Sequence, residues 1–458
     1  SENKIMTVEK MAAMANIETG YVPSQSRIDD AWRTLMMAQH HDSWIVPYNG
    51  LNKNRTWAQE ISLWTGHTNT ISDNILSDVC TSYTSDKLPQ SDNVGFVRVY
   101  NTLAGERCEL VRVSLDKALI ANDMIVRNSK GKILPSYLKQ YNDSSYLYFQ
   151  AQTPSLGYAT FSIHQGKANE DAYTPVRFAA NGDCIIENDM YRIVIDKANG
   201  GTIKSLIAKK ESNREFVDSE NQFHLGEVRG HFYDENKFYS TADSPARISV
   251  LEDNPLRTII KIESKIASHP STQILTLTTG QRRIDFDLTV DWKHNVGIGE
   301  YRQGNNWRDN RRAYTDDRYK LNVMFPVGLP NARLYKNAPF DVCESQLEDT
   351  HFGTWDSIKH NVILNWVDLK ATNEEYGFAL FSDHTTSYSY GKEFPLSLTA
   401  QYSGIGLWGP NYNITRALKM KYAIVPHSGS WDQAAISAES NAWNEPLIAS
   451  FHKSIPLN

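Results

Sequence analysis

Apolar residues recur every three to four positions over the first part of the chain and every second position after it, and that switch divides the protein. The segment 7–19 (TVEKMAAMANIET) is rich in Ala, Met and Glu and stops at Gly20, with Pro23 just beyond, which predicts a helix with a defined end. From residue 28 onward Ile28, Ala31, Trp32, Leu35 and Met36 share one stripe, the mark of an amphipathic helix. A third helix is predicted from Thr56, its face carrying Trp57, Ile61, Trp64, Thr68, Ile71, Ile75 and Val79. Together they predict a small helical bundle over residues 1–85, followed by the short linker SDKLPQSD.

From Val94 the period becomes two. GFVRVYN, CELVRVSL, DMIVRNSKG and SYLYFQAQ alternate β-branched or aromatic residues with polar ones and are separated by Gly, Asn and Ser, which predicts a small β-sandwich over 90–168. After HQGKANEDAYTP a longer β region is expected over 176–458. Within it YRIVIDKANGGTIKSLI reads as a hairpin with an Asn-Gly turn. RRIDFDLTVDW sets Ile284, Phe286, Leu288, Val290 and Trp292 inward, against Arg283, Asp285, Asp287, Thr289 and Asp291. Helical character returns only at SWDQAAISAESNAW. The fold class expected is α+β, an N-terminal helical bundle followed by predominantly antiparallel β-sandwich domains.

At 458 residues the chain exceeds one ordinary core, consistent with two or three domains. Lys and Arg number 47 against 53 Asp and Glu, a net charge of -6, and no basic run interleaves with aromatics, so nucleic acid is not an expected partner. Cys80, Cys108, Cys184 and Cys343 lie far apart without CxxC spacing and are expected to be free thiols. No apolar run approaches the roughly 20 residues of a membrane span, and SENKIMTVEKM lacks the basic-then-apolar order of a signal peptide, so no membrane role is expected and the compartment stays open. Aromatic residues make up 11% of the chain, with 11 Trp and 23 Tyr, and flat amphipathic rings suit sandwich cores as well as the apolar faces of pyranoses.

The densest chemistry is AQHHDSW. Continued as a helix at about 100° per residue, it points Gln39 and Asp42 near the bundle stripe and His41 about 150° away from it. An outward histidine is either a solvated surface residue or a metal ligand beside a carboxylate able to bind sugar hydroxyls. His40 and Asp42 would sit about 160° apart on such a helix, a poor arrangement for one ion. Asp285 and Asp287 share a strand face and offer a carboxylate pair, although alternating charges are also the ordinary solvent face of a strand. The polar, aromatic stretch 296–319 is either a ligand-reaching loop or a surface excursion. No HExxH, Ser-His-Asp or Cys-His pattern is present, and no catalytic residue is identifiable.

In order, AWRTLMMAQHHD, VYNTLAGER, TPSLGYATFSI, IENDMYRIVID, RRIDFDLTVDW, LNVMFPV and IVPHSGSW resemble segments of glycoside hydrolase family 38, the zinc-dependent α-mannosidases. The resemblance covers almost the whole chain and implies the family's helical middle domain and C-terminal β domains, the larger a galactose-mutarotase-like supersandwich, without the N-terminal catalytic barrel. It further implies retaining hydrolysis of terminal α-mannosides in glycans, with zinc bound by His41 and by residues of the missing domain, and with Asp42 contacting sugar hydroxyls. The chain departs from the family after His41-Asp42, where Ser43-Trp44-Ile45-Val46-Pro47 replaces a short glycine-bearing turn. By the same resemblance the chain is a fragment, shortened also at its C-terminal end, and is expected to be inactive and to hold little zinc. The reading from another class is a carbohydrate-binding or scaffold protein that uses the sandwiches without chemistry. Linkage preference and homo-oligomerisation stay open.

Overall fold

The computed structural model describes residues 1–85, 93–115, 123–141, 144–167, 172–300, 316–345, 361–403, 414 and 416–456, with Trp44 and Ile45 described as backbone only. The chain folds as two compact units, one built from residues 1–172 and 441–458 and the other from 173–440. Among the described residues no helix is long and apolar enough to cross a membrane.

The first unit begins with the expected bundle: α1 (Glu2–Thr19), α2 (Gln25–Ala38) and, after a one-turn helix α3 (Asp42–Ile45), α4 (Trp57–Ser82). α1 ends because Gly20 takes φ 73°, a left-handed conformation that glycine adopts without steric cost, and its N–H closes on the Asn16 carbonyl. α4 starts at a capping box in which the Thr56 hydroxyl accepts from the Gln59 N–H while the Gln59 side chain accepts from the Thr56 N–H. Ile5, Val8, Met11, Ala12 and Ala15 of α1 meet Ile28, Ala31 and Leu35 of α2 and Ile71, Ile75 and Val79 of α4. Full burial of each large side chain stabilises by roughly 1.5–3 kcal/mol.

The bundle core does not stop at the helices: it continues into Tyr83 and Tyr100, with Tyr158 and Ile448 packed against it. Bundle and small sandwich, expected as separate domains, therefore form one unit. The sandwich pairs a five-stranded sheet with a three-stranded one. The first contains the strands Asn93–Asn101, Gly157–Gln165 and Met124–Arg127, and the second Arg107–Leu115, Ser145–Thr153 and Ser136–Gln140.

The five-stranded sheet also gives a correction to the expected range 176–458. Strand Ile448–His452 pairs antiparallel with Asn93–Asn101, so the C-terminal segment belongs to the first unit. An exposed strand edge carries unpaired N–H and C=O groups, and a segment hundreds of residues away in sequence satisfies them here.

The second unit is an antiparallel β-sandwich. Its nine-stranded sheet runs in the order Arg247–Asn254, Arg257–Ile266, His269–Thr278, Ile284–Val290, Leu418–Ser428, Tyr376–Ser382, Trp366–Lys370, Arg333–Ala338 and Asp341–Glu344. A six-stranded sheet includes Leu321–Phe325 and Phe394–Gln401, and a five-stranded sheet centres on Tyr191–Asp196. Strand Ile284–Val290 keeps the predicted alternation, with Ile284, Phe286, Leu288 and Val290 buried and Trp292 partly buried. The hairpin Tyr191–Asp196/Thr202–Ala208 has a longer connection than a two-residue Asn-Gly turn, with Gly200 and Gly201 both at positive φ. A Cβ on Gly200 would lie 2.1 Å from the Thr241 carbonyl oxygen, so close backbone approach requires glycine as much as φ does. The helix α5 (Ile436–Asn444) precedes the last strand. The four cysteines are free thiols, and burial pushes Cys184 up to about 12.

Candidate functional site

α2 does not continue through AQHHD. It ends at Ala38, Gln39 leaves helical geometry at φ -89° and ψ 5°, and α3 begins at Asp42 with His41 as its N-cap. The one-helix geometry expected for His40, His41 and Asp42 is therefore corrected, because a turn folds the three side chains toward one another. His41 Nε2 lies 3.5 Å from Asp42 Oδ1, and His40 Nδ1 lies 3.8 Å from Asp42 Oδ2. Potential ligand atoms from all three fall within 4.8 Å of one another, a grouping of metal-binding side chains found among the described residues.

The two histidines differ in what their nitrogens do. His40 Nδ1 accepts the Asp42 backbone N–H at 3.2 Å, which occupies the lone pair of a neutral imidazole. Its ring stacks on Trp57 with centroids 5.3 Å apart and planes within 7°, and Trp57 in turn meets Trp64 edge-on at 6.5 Å. His41 has its centroid 4.2 Å from that of His40, and its side chain is 73% exposed. Asp42 is intermediate at 40%. The structure thus stacks the half-exposed His40 on Trp57 and leaves the more exposed His41 beside Asp42.

Spacing decides what this pair can hold. A tetrahedral ion with bonds of about 2.0–2.1 Å keeps neighbouring donors roughly 3.4 Å apart. The 3.5 Å between His41 Nε2 and Asp42 Oδ1 fits an ion, or an ion-bound hydroxyl, placed between them. Two donors do not complete a zinc site, which takes three or four. Sequence reasoning did not connect Trp57 and Trp64 to this site, although their seven-residue spacing on one helix was the available signal.

The other candidates resolve differently. Asp287 pairs with Lys421, directly opposite on the neighbouring strand, at 3.1 Å, and Asp285 lies 3.4 Å from Arg283 Nε. Both carboxylates are engaged with cations on the outer face of strand Ile284–Val290. Of the stretch 296–319, residues 301–315 lie outside the described residues, and its two ends are fixed. The Ile298 N–H donates to Ser403 Oγ at 2.6 Å, and the buried Asp317 contacts Lys320 Nζ at 2.5 Å.

The family model described as "Glycosyl hydrolases family 38 C-terminal domain" matches residues 186–402, which lie within the second unit. Two solved structures from Enterococcus faecalis are similar across the chain. One is the crystal structure of an alpha-mannosidase from strain V583, with TM-score 0.72 and 15% identity over 100% of this chain and 57% of that one. The other is a protein in glycosyl hydrolase family 38, with TM-score 0.70 and 16% identity over 99% of this chain and 59% of that one. The chain thus spans less than two thirds of the length of either structure, and at such identities the likeness establishes the fold. No curated protein matches the sequence. The ordered motifs, the antiparallel sandwich and the match over residues 186–402 converge: this part of the chain is similar to the C-terminal domain of glycosyl hydrolases of family 38.

Proposed function

We propose that the protein carrying this chain is a zinc-dependent, retaining α-mannosidase that removes terminal α-mannosides from glycans. The observation that supports this reading is the pairing of His41 Nε2 and Asp42 Oδ1 at 3.5 Å on an exposed turn whose other histidine is already occupied. In this reading His41 supplies one metal ligand, and Asp42 accepts hydrogen bonds from the hydroxyls of the sugar that meets the ion. Bound zinc would act as a Lewis acid that orients those hydroxyls.

We place the nucleophile and the acid in a catalytic domain that this sequence does not contain. Retention needs two carboxyl groups about 5–5.5 Å apart, one attacking the anomeric carbon and one protonating the leaving oxygen. The acidic strand is an unsuitable source, since Asp287 is held by Lys421 and Asp285 sits beside Arg283. The chain by itself is accordingly proposed to be inactive and to bind zinc weakly, two donors being too few to hold the ion.

The test is made on the full-length protein, by metal analysis and by release of mannose from several α-mannosides with zinc supplied. Turnover that disappears together with bound zinc in His41→Ala supports the reading. Absence of turnover on every α-mannoside refutes it and leaves the non-catalytic, carbohydrate-binding alternative.

A further inference from the structure

The second unit contains a cavity of about 570 Å³ where the turn at Lys392 and Glu393 meets the segment 220–222. Its floor is apolar: Phe325 and Leu396 are fully buried. Two partly exposed rings, Tyr390 and Phe394, form walls. Both are held in place. Phe223 meets Phe394 edge-on, with centroids 5.6 Å apart, and the Tyr390 hydroxyl donates to the Ala332 carbonyl at 3.3 Å. The rim is polar and exposed, with Glu220, Gln222, Lys392 and Glu393. Among the described residues, Gln222 and Glu393 form no side-chain hydrogen bond or ion pair, so their amide and carboxylate are available to a ligand.

This lining selects for chemistry. An apolar floor with fixed aromatic walls favours a ligand with a C–H face, and an amide beside carboxylates favours one with hydroxyl donors on its edges. Two rim carboxylates against one ammonium disfavour an anion. A wholly apolar ligand would desolvate the rim without pairing it. The volume falls in the usual range for small-molecule sites.

We propose that this cavity binds a neutral saccharide, with a pyranose face against Tyr390 and Phe394 and hydroxyls on Gln222 and Glu393. The proposal stands on the cavity and is independent of the zinc reading.

To keep the two apart, the full-length protein is made with His41→Ala and Asp42→Ala and titrated by calorimetry and backbone-amide NMR with methyl α-mannoside, methyl β-glucoside and methyl β-galactoside. Saturable binding of at least one sugar is expected, with shifts centred on residues 220–222 and 390–396. Adding Gln222→Ala and Glu393→Ala, both on the exposed rim, weakens it at least tenfold, and Phe394→Leu does the same while keeping the apolar volume. Failure of all three sugars to saturate, unchanged affinity in the rim variants, or tighter binding of glucose 6-phosphate than of the neutral sugars would overturn the proposal.

Discussion

Arg107 Nη1 donates to the backbone carbonyl of Glu445 at 2.8 Å, joining residues 338 positions apart in sequence. Nη2 donates to the Ala442 carbonyl at 2.8 Å, and Glu109 neutralises the guanidinium at 2.9 Å. The side chain of Glu445 reaches the other way, to Lys10 of α1 at 2.7 Å. One buried arginine therefore fixes the returning C-terminal segment, and the residue it grips ties that segment to the bundle. The rigid planar fork of Arg suits two carbonyls at once.

Arg107→Ala should destabilise the first unit by about 3–5 kcal/mol, because it strands the largely buried Glu109 carboxylate, the buried Glu445 carbonyl and the part-buried Ala442 carbonyl. Arg107→Lys keeps the charge but loses the fork, and should recover only part of that loss. Urea denaturation followed by tryptophan fluorescence checks both, and an alanine variant as stable as the parent would show the contact to be idle.

In the second unit the fully buried His427 and Asp368 meet at 2.7 Å. Asp368→Ala leaves a buried imidazole without its partner and should cost about 3–5 kcal/mol, whereas Asp368→Asn retains a polar neighbour and should cost less. Gly377 lies against the same ring, and a Cβ there would approach His427 Cε1 to 2.4 Å. Gly377→Ala should therefore lower the thermal midpoint as well, which calorimetry measures.

His452 is 5% exposed, and burial, aided by the charge of Arg98, pushes it down to about 4. A depressed histidine is neutral in the fold and takes up its proton readily only when unfolded. Its contribution is complete above an unfolded pKa near 6.5 and is lost progressively as pH falls toward 4, at about 1.4 kcal/mol per pH unit. His452→Phe should flatten that part of the stability profile. Urea midpoints at pH 7, 5.5 and 4.5 test it, and an unchanged slope in the variant would rule out His452 as the cause.

Trp57 supports His40 by stacking, and His40 in turn accepts the Asp42 backbone N–H. If the proposed zinc site is correct, Trp57→Leu should loosen the turn and weaken zinc binding about 10–100-fold, the usual scale for groups that orient ligands, with the bundle still folded. Competitive chelator titration of the full-length protein gives the affinity, and circular dichroism the fold. Unaltered zinc affinity would mean the stack does not position the site.

Much of this protein was legible in the sequence because it depends on neighbours a few residues away. The cap at Gly20, the Thr56–Gln59 capping box and the alternation of Ile284, Phe286, Leu288 and Val290 all follow from local periodicity and backbone preference. His41 and Asp42 could be singled out by residue type and by ordered resemblance. Their geometry could not, since α2 ends at Ala38 without a glycine or proline to announce it. Nor does periodicity say that strand Ile448–His452 returns to Asn93–Asn101, or that Arg107 waits for it, because strand partners and buried charges are chosen across the whole chain. The sequence by itself determined which segments are helix or strand and which faces are apolar. Only the tertiary structure decided which edges are filled, how many units form and which side chains meet, since those depend on satisfying backbone groups and charges that sequence leaves far apart.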